Sequence, residues 1–195
     1  LFSVQQVHAR RGYARGNGHF IDNVQQPAFG RLRCPGVDGP AAKHFGVPGA
    51  MASAESAMIG RDIALALDTG ARVLFQHVSS AQSVALIRAG KAMGAKIYAE
   101  VTPHHLSLTE DDVPAHGTYA RMNPPLRKEA DRQALIAALA DGTIDMVATD
   151  HAPHTAEEKA REFAKAPSGI TGLETAFSVC NTYLVQTGKL TPMQL

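Results

Sequence analysis

From position 51 onward the apolar residues follow two alternating periods. Over 53–69, Met58, Ile59, Ile63, Ala66 and Leu67 recur near helical spacing, and Gly70 is a natural stop. The next apolar run, 73–76, is strand-like in length and leads into His77. Ser79 or Ser80 then stands where a cap belongs, before a helix whose inner face is Val84, Leu86 and Ile87 and which ends by Gly94. A second strand is predicted over 96–101, followed by a connection over 102–126 rich in Pro, His and Asn. Leu135, Ile136 and Leu139 predict an amphipathic helix over 129–140, with Gly142 beyond it. A third strand is predicted over 144–149, running straight into Asp150, and a last helix over 172–186. Residues 1–50 read differently. They are rich in Gly and Arg without sustained periodicity, and no strand is assigned there.

Strands alternating with helices imply parallel pairing through right-handed crossovers. The polar chemistry falls just after strands, at their C-terminal ends. In a TIM-type (β/α)8 barrel that face carries the active site. An open doubly wound sheet also places ligands at strand ends, but no Gly-rich phosphate loop follows any of these strands. The α/β barrel is therefore favoured. A full barrel takes about 250 residues, so the barrel is expected to be incomplete in this chain, with 1–50 as a separate N-terminal segment and 51–195 as its C-terminal half.

The totals narrow the class. Hydrophobic residues are 45% and charged residues 19% of 195, too apolar for a disordered chain. A net charge of +1 gives no basic field for nucleic acid. No run approaches the roughly 20 apolar residues of a membrane span, and the N-terminus does not read as a signal peptide. Cys34 and Cys180 are too few and too far apart for a disulfide framework or zinc knuckle, which fits a reducing cytoplasm. The absence of an initiating Met suggests a fragment or a processed product.

Several residues are candidates for chemistry. An imidazole at a strand tip, as at His77, is a good zinc donor, although a core histidine bonded to a carbonyl is the plainer alternative. Asp150 ends an apolar strand, so it either faces a polar concavity or caps the segment after it. His151 and His154 follow in the turn. His104 and His105 are adjacent after a strand, so at most one of them is expected to reach a metal. Glu100 lies inside the preceding strand and either faces the barrel lumen or pairs with Lys96 or another base. Asn123-Pro124-Pro125-Leu126-Arg127 is a stiff, non-helical turn suited to holding a side-chain amide against a substrate, or else only a connection. Ala166-Pro167-Ser168-Gly169-Ile170 either offers backbone amides to a ligand or is an ordinary surface turn.

In order along the chain, His77-Val78-Ser79, Glu100-Val101-Thr102-Pro103-His104-His105-Leu106, Asn123-Pro124-Pro125-Leu126-Arg127, Thr149-Asp150-His151-Ala152-Pro153-His154 and Gly172-Leu173-Glu174-Thr175 resemble dihydroorotase. The likeness is to the bacterial class I type of the cyclic amidohydrolases, within the metal-dependent hydrolases, and runs from about Gly46 onward. It implies a cytoplasmic hydrolase of pyrimidine biosynthesis that interconverts N-carbamoyl-L-aspartate and (S)-dihydroorotate. It also implies one or two Zn2+ per active site, a homodimer, and aspartate carbamoyltransferase as a partner. Carried over residue by residue, His77 matches a metal-binding histidine at the end of the sixth barrel strand. Asp150 matches the eighth-strand aspartate that ligates zinc and moves the proton. Asn123, His154, Ser168 and Gly169 match positions that hold the ring and its carboxylate. His104 and His105 belong to the signature without being usual zinc ligands, and Glu100 matches a position that touches an additional metal in some relatives.

The sequence also departs from that pattern. It contains no His-x-His pair, which the family's first strand supplies to the metal, and no identifiable fourth-strand bridging carboxylate or lysine. His19 is a weak stand-in for the fifth-strand histidine. Two alternatives follow: a non-catalytic dihydroorotase-like scaffold for aspartate carbamoyltransferase, or a hydantoinase-like cyclic amidase. Hydantoinases share the fold but usually differ at the Thr-Asp-His-Ala-Pro-His and Asn-Pro-Pro-Leu-Arg motifs.

Overall fold

A computed structural model describes residues 20–21 and 39–195 of the chain. Its centre is a parallel sheet of β1 (Phe20–Ile21), β2 (Arg72–Phe75), β3 (Ile97–Val101) and β4 (Met146–Val147), ordered β1-β2-β3-β4. Val73 pairs with Ile97, Leu74 with Tyr98 and Phe75 with Ala99, while Glu100 pairs with Met146 and Val101 with Val147. The crossovers are helical. α2 (Ala52–Thr69) precedes β2, α3 (Ala81–Ala92) joins β2 to β3, and α6 (Glu129–Ala140) precedes β4. Ahead of them lies α1 (Pro40–His44). The connection after β3 contains α4 (Pro103–Ser107) and α5 (Val113–His116), and α7 (Ala156–Lys159) and α8 (Ala176–Cys180) follow β4. Among the described residues no helix is long and apolar enough to cross a membrane.

The local chemistry explains these limits. Ser80 caps α3 by accepting the Ser83 N–H, and Gly70, at φ 68°, closes α2 with its N–H on the Ala66 carbonyl. Ile59 and Ile63 of α2, Val84 and Ile87 of α3, and Leu135 and Ile136 of α6 pack on Val73, Phe75, Ile97, Ala99 and Val101 of the sheet. Each fully buried Ile, Leu or Phe in this layer contributes roughly 1.5–3 kcal/mol. A Cβ at Gly90 would lie 2.9 Å from both Ile63 and Ile97, so α3 approaches its neighbours closely enough to require glycine there. A smaller cluster of Ala41, Val113, Met122, Leu126 and Phe163 supports the long connection, with Phe45 stacked on Phe163 at 4.0 Å.

Four expectations are corrected. Phe20–Ile21 forms the first strand, in a segment where periodicity assigned none. Leu86 is exposed rather than on the inner face of α3. The third strand is limited to Met146–Val147, because the Ile144 N–H closes the end of α6 on the Ala138 carbonyl. The last helix is α only over Ala176–Cys180 and continues as a π turn over Asn181–Val185. His19 and Cys34 lie outside the described residues.

Candidate active site

Three strands end at one place. β2 continues through Gln76 to His77, β3 carries Glu100 beside its last residue, and β4 continues through Ala148 and Thr149 to Asp150. The ladder runs past the strand limits: the Val78 N–H donates to the Glu100 carbonyl and the Ala148 N–H to the Val101 carbonyl, each at 3.0 Å. With the tips held in register, His77 Nδ1 lies 2.8 Å from Glu100 Oε1, and His77 Nε2 lies 3.6 Å from Asp150 Oδ1. The side chains of His77 and Asp150 are 24% and 28% exposed, enough to be reached from solvent, whereas Glu100 is buried behind them. Burial disfavours a charge on His77, but Glu100 and Asp150 outweigh it and hold the imidazole above its ordinary value. Burial also holds the Asp150 carboxyl above the usual range, with Glu100 reinforcing the shift and His77 opposing it.

His77 at φ 54° and Asp150 at φ 48° are the non-glycine residues with left-handed backbone among the described residues. His and Asp tolerate that region better than most side chains. Such strain still collects at functional sites, where the surrounding structure enforces it. Asp150 does not cap the segment after it; Thr155 caps α7.

The donor set suits a divalent cation in part. His77 directs Nε2 toward Asp150 while a carboxylate backs its Nδ1, the pattern that orients metal-binding histidines. Among the described residues no group of three or more His, Cys, Asp or Glu side chains is placed to hold a metal. A catalytic zinc site uses three protein donors, of which the described residues could offer His77 and Asp150.

Beside this centre the 166–170 turn is fixed by the residues that follow Asp150. His151 pairs with Ile170, and the Ala152 N–H donates to the Ile170 carbonyl at 2.9 Å. His151 Nδ1 accepts the N–H of Gly172 at 3.1 Å and of Leu173 at 3.3 Å. His154 Nε2 donates to the Ser168 carbonyl at 2.9 Å, and the Gly169 N–H donates to the Arg121 carbonyl at 2.9 Å. Gly169 has φ 106°, and a Cβ there would sit 2.6 Å from Ala152 Cβ. Lys159, itself buried, donates to the carbonyls of Thr118 and Pro167. The structure thus joins His154 to Ser168 and Gly169. Asn123 is exposed, two residues beyond the Arg121 carbonyl that Gly169 holds, and is linked to Pro124 by a cis bond.

His104 and His105 lie in α4, and His105 serves the fold. Thr102 caps α4, and its hydroxyl lies 2.6 Å from His105 Nδ1. His105 Nε2 faces the carbonyls of Pro124 and Pro125 at 3.1 and 3.3 Å, so the ring clamps the 123–127 turn to the end of β3. Burial pushes His105 down to about 3 and His104 down to about 2. Glu55, which sequence reasoning passed over, is buried in α2 against Ser79 and Ser80, directly behind His77. A glutamate in an amphipathic helix carries no signal of such a role.

No protein-family model matches the chain. In sequence it is 54% identical over 162 residues to a dihydroorotase of Clostridioides difficile strain 630, a match covering 83% of this chain and 38% of that protein. It is 53% identical over 153 residues to a dihydroorotase of Clostridium acetobutylicum, covering 78% and 36%. Among solved structures, a dihydropyrimidinase from Brevibacillus agri NCHU1002 superposes with a TM-score of 0.70 at 28% identity, over 80% of this chain and 34% of that one. An L-hydantoinase from Arthrobacter aurescens gives 0.68 at 31% identity, over 72% and 32%. The parallel α/β fold with its polar groups at the strand ends is that of a cyclic amidohydrolase. Within that class, the chain is similar in sequence to dihydroorotases. It spans less than two fifths of the length of these relatives, 38% of the first.

Proposed function

We propose that the protein carrying this chain is a dihydroorotase, acting in the cytoplasm on N-carbamoyl-L-aspartate and (S)-dihydroorotate. On this reading residues 51–195 form the C-terminal half of an amidohydrolase (β/α)8 barrel. The observation that carries it is the convergence of His77 and Asp150 at 3.6 Å, within a chain 54% identical to a dihydroorotase over 162 residues. His77 and Asp150 would hold zinc, Glu100 orienting the imidazole from behind. Zinc, when bound, supplies Lewis-acid polarisation of the ring carbonyl and lowers the pKa of water.

Asp150 moves the proton. Its carboxyl, held above the usual range, is a better base near neutral pH than a solvated aspartate. In ring opening it takes a proton from the attacking water as the oxygen–carbon bond forms, and gives one to the ring nitrogen as the amide bond breaks. Ring closure runs the same transfers backwards with loss of water. Asn123, His154, Ser168 and Gly169 would hold the ring and its carboxylate, the last three as one hydrogen-bonded unit.

The test is zinc content together with dihydroorotate turnover by the intact protein. Stoichiometric zinc and activity that falls about 10²–10⁴-fold in Asp150→Ala are expected. A metal-free, inactive protein that co-purifies with a transcarbamoylase would establish the scaffold reading instead. Preference for hydantoin or dihydrouracil over dihydroorotate would establish the hydantoinase reading.

A further inference from the structure

Glu55 is buried in α2, and every polar contact it makes is with the segment that follows His77 or with the arginine behind it. Its Oε1 accepts the N–H of Ser79 at 3.1 Å, the N–H of Ser80 at 3.2 Å and the Ser80 hydroxyl at 3.2 Å. Its Oε2 accepts the Ser79 hydroxyl. Ser79 Oγ in turn accepts Arg127 Nε at 3.1 Å, and Arg127 Nη2 stands 3.8 Å from Glu55 Oε2. Arg127 Nη1 donates to the Ala50 carbonyl at 2.5 Å, tying the same guanidinium to the start of α2. A buried carboxylate is tolerated only when donors surround it, and here four hydrogen bonds and a guanidinium do so.

This network does more than cap α3. Val78 is held on the other side by its N–H bond to the Glu100 carbonyl. Residues 78–80 are thereby fixed from β3 and from α2 together. Rotating His77 out of its left-handed conformation would swing 78–80 away from both anchors. We propose that Glu55, braced by Arg127, is the positioning residue that keeps His77 at φ 54° and so aims its imidazole between Glu100 and Asp150. The consequence for metal binding rests on the proposed dihydroorotase reading; the positioning itself does not.

The experiment compares the intact wild-type protein with Glu55→Gln, and with Ile59→Val as a control in the same helix that is buried but has no polar group to offer Ser79. Histidine 13Cε1 labelling, with the His77 signal assigned by its loss in His77→Gln, reads the imidazole in metal-free protein at fixed pH. Zinc affinity is measured in parallel by competition with a chromophoric chelator. In Glu55→Gln the His77 resonance shifts or broadens and zinc affinity falls about 10–100-fold, while Ile59→Val changes neither despite a lower Tm. If Glu55→Gln does not fold, Ser79→Ala removes the bridging hydroxyl and is expected to give the same pattern. A His77 signal and zinc affinity as little changed in the Glu55 or Ser79 variant as in Ile59→Val would overturn the proposal, leaving Glu55 a purely structural cap. Should wild type take up no zinc, the metal reading fails, and the His77 resonance alone decides the positioning.

Discussion

Acidification should destabilise this protein through His105, in addition to the larger shift at neighbouring His104. In the fold its Nε2 faces the Pro124 and Pro125 carbonyls and must carry a hydrogen, while Nδ1 faces the Thr102 hydroxyl. Burial pushes the ring from the ordinary 6.5 down to about 3, so it is neutral near pH 7. Above pH 6.5 neither folded nor unfolded chain protonates this histidine, and it adds no pH dependence. Below 6.5 the unfolded chain binds a proton that the folded chain refuses, so stability falls by about 1.4 kcal/mol per pH unit until about pH 3. The loss is about 2 kcal/mol at pH 5 and about 5 kcal/mol in full, against a typical total of roughly 5–15 kcal/mol. His105→Gln removes this titration. Gln fits the three partners less well, which costs about 1–3 kcal/mol at pH 7. Urea unfolding at pH 7, 6 and 5 measures the gap between wild type and variant. It should narrow by about 2 kcal/mol across that range, bringing the two close to equal stability at pH 5. A gap that stays constant would show that His105 accepts a proton in the fold, and would refute the clamp as drawn.

Gly169→Ala should destabilise by about 1–3 kcal/mol, because φ 106° excludes side chains and the new Cβ meets Ala152; thermal unfolding reads it. Lys159→Met leaves the Thr118 and Pro167 carbonyls without their donor, at about 1–3 kcal/mol. On the proposed dihydroorotase reading, Pro167 adjoins the substrate-holding Ser168–Gly169 turn, so this variant should raise KM for dihydroorotate more than it lowers kcat. His77→Ala and Asn123→Ala should separate two roles: the first lowers zinc content, and the second keeps zinc and kcat while weakening substrate binding. Equal zinc in wild type and His77→Ala would remove His77 from the metal site.

The helical crossovers were legible because periodicity and stop signals agreed. Ile59 and Ile63 with Gly70, and Val84 and Ile87 with Ser80, mark α2 and α3 within a residue or two of their observed limits. Leu86 misled because Val84, Ile87 and Gly90 face inward, and a residue beside Ile87 points about 100° away from that face. The short helices within 102–126 were illegible, being single turns held by Pro, caps and the Phe163 cluster rather than by a periodic stripe. The strand ends bring His77 and Asp150 to within 3.6 Å of one another. Local spacing gave no means of seeing that His105 faces two proline carbonyls, or that Glu55 lies under Ser79, since both contacts join residues 19 or more apart.

His77 and Asp150 both hold left-handed backbone. Non-glycine side chains lose roughly 1–2 kcal/mol in that conformation, and glycine does not. The strain persists because both strand tips are anchored on their far side: Val78 to Glu100 and Ser79 to Glu55 after His77, and His151 and Ala152 to Ile170 after Asp150. Replacing His77 by Ala and by Gly removes the same imidazole from the same anchored backbone, so the difference between the two variants isolates the conformation. At an ordinary position with negative φ, Ala is the more stable because Gly enlarges the freedom of the unfolded chain, by about 0.4–1 kcal/mol. At 77 the order should reverse, with Gly ahead of Ala by roughly 0.5–1 kcal/mol in urea unfolding of metal-free protein. Asp150→Gly against Asp150→Ala should show the same inversion. Finding Ala ahead at both positions would mean that the strand tips relax in solution, and that the approach of His77 to Asp150 is not held by the backbone.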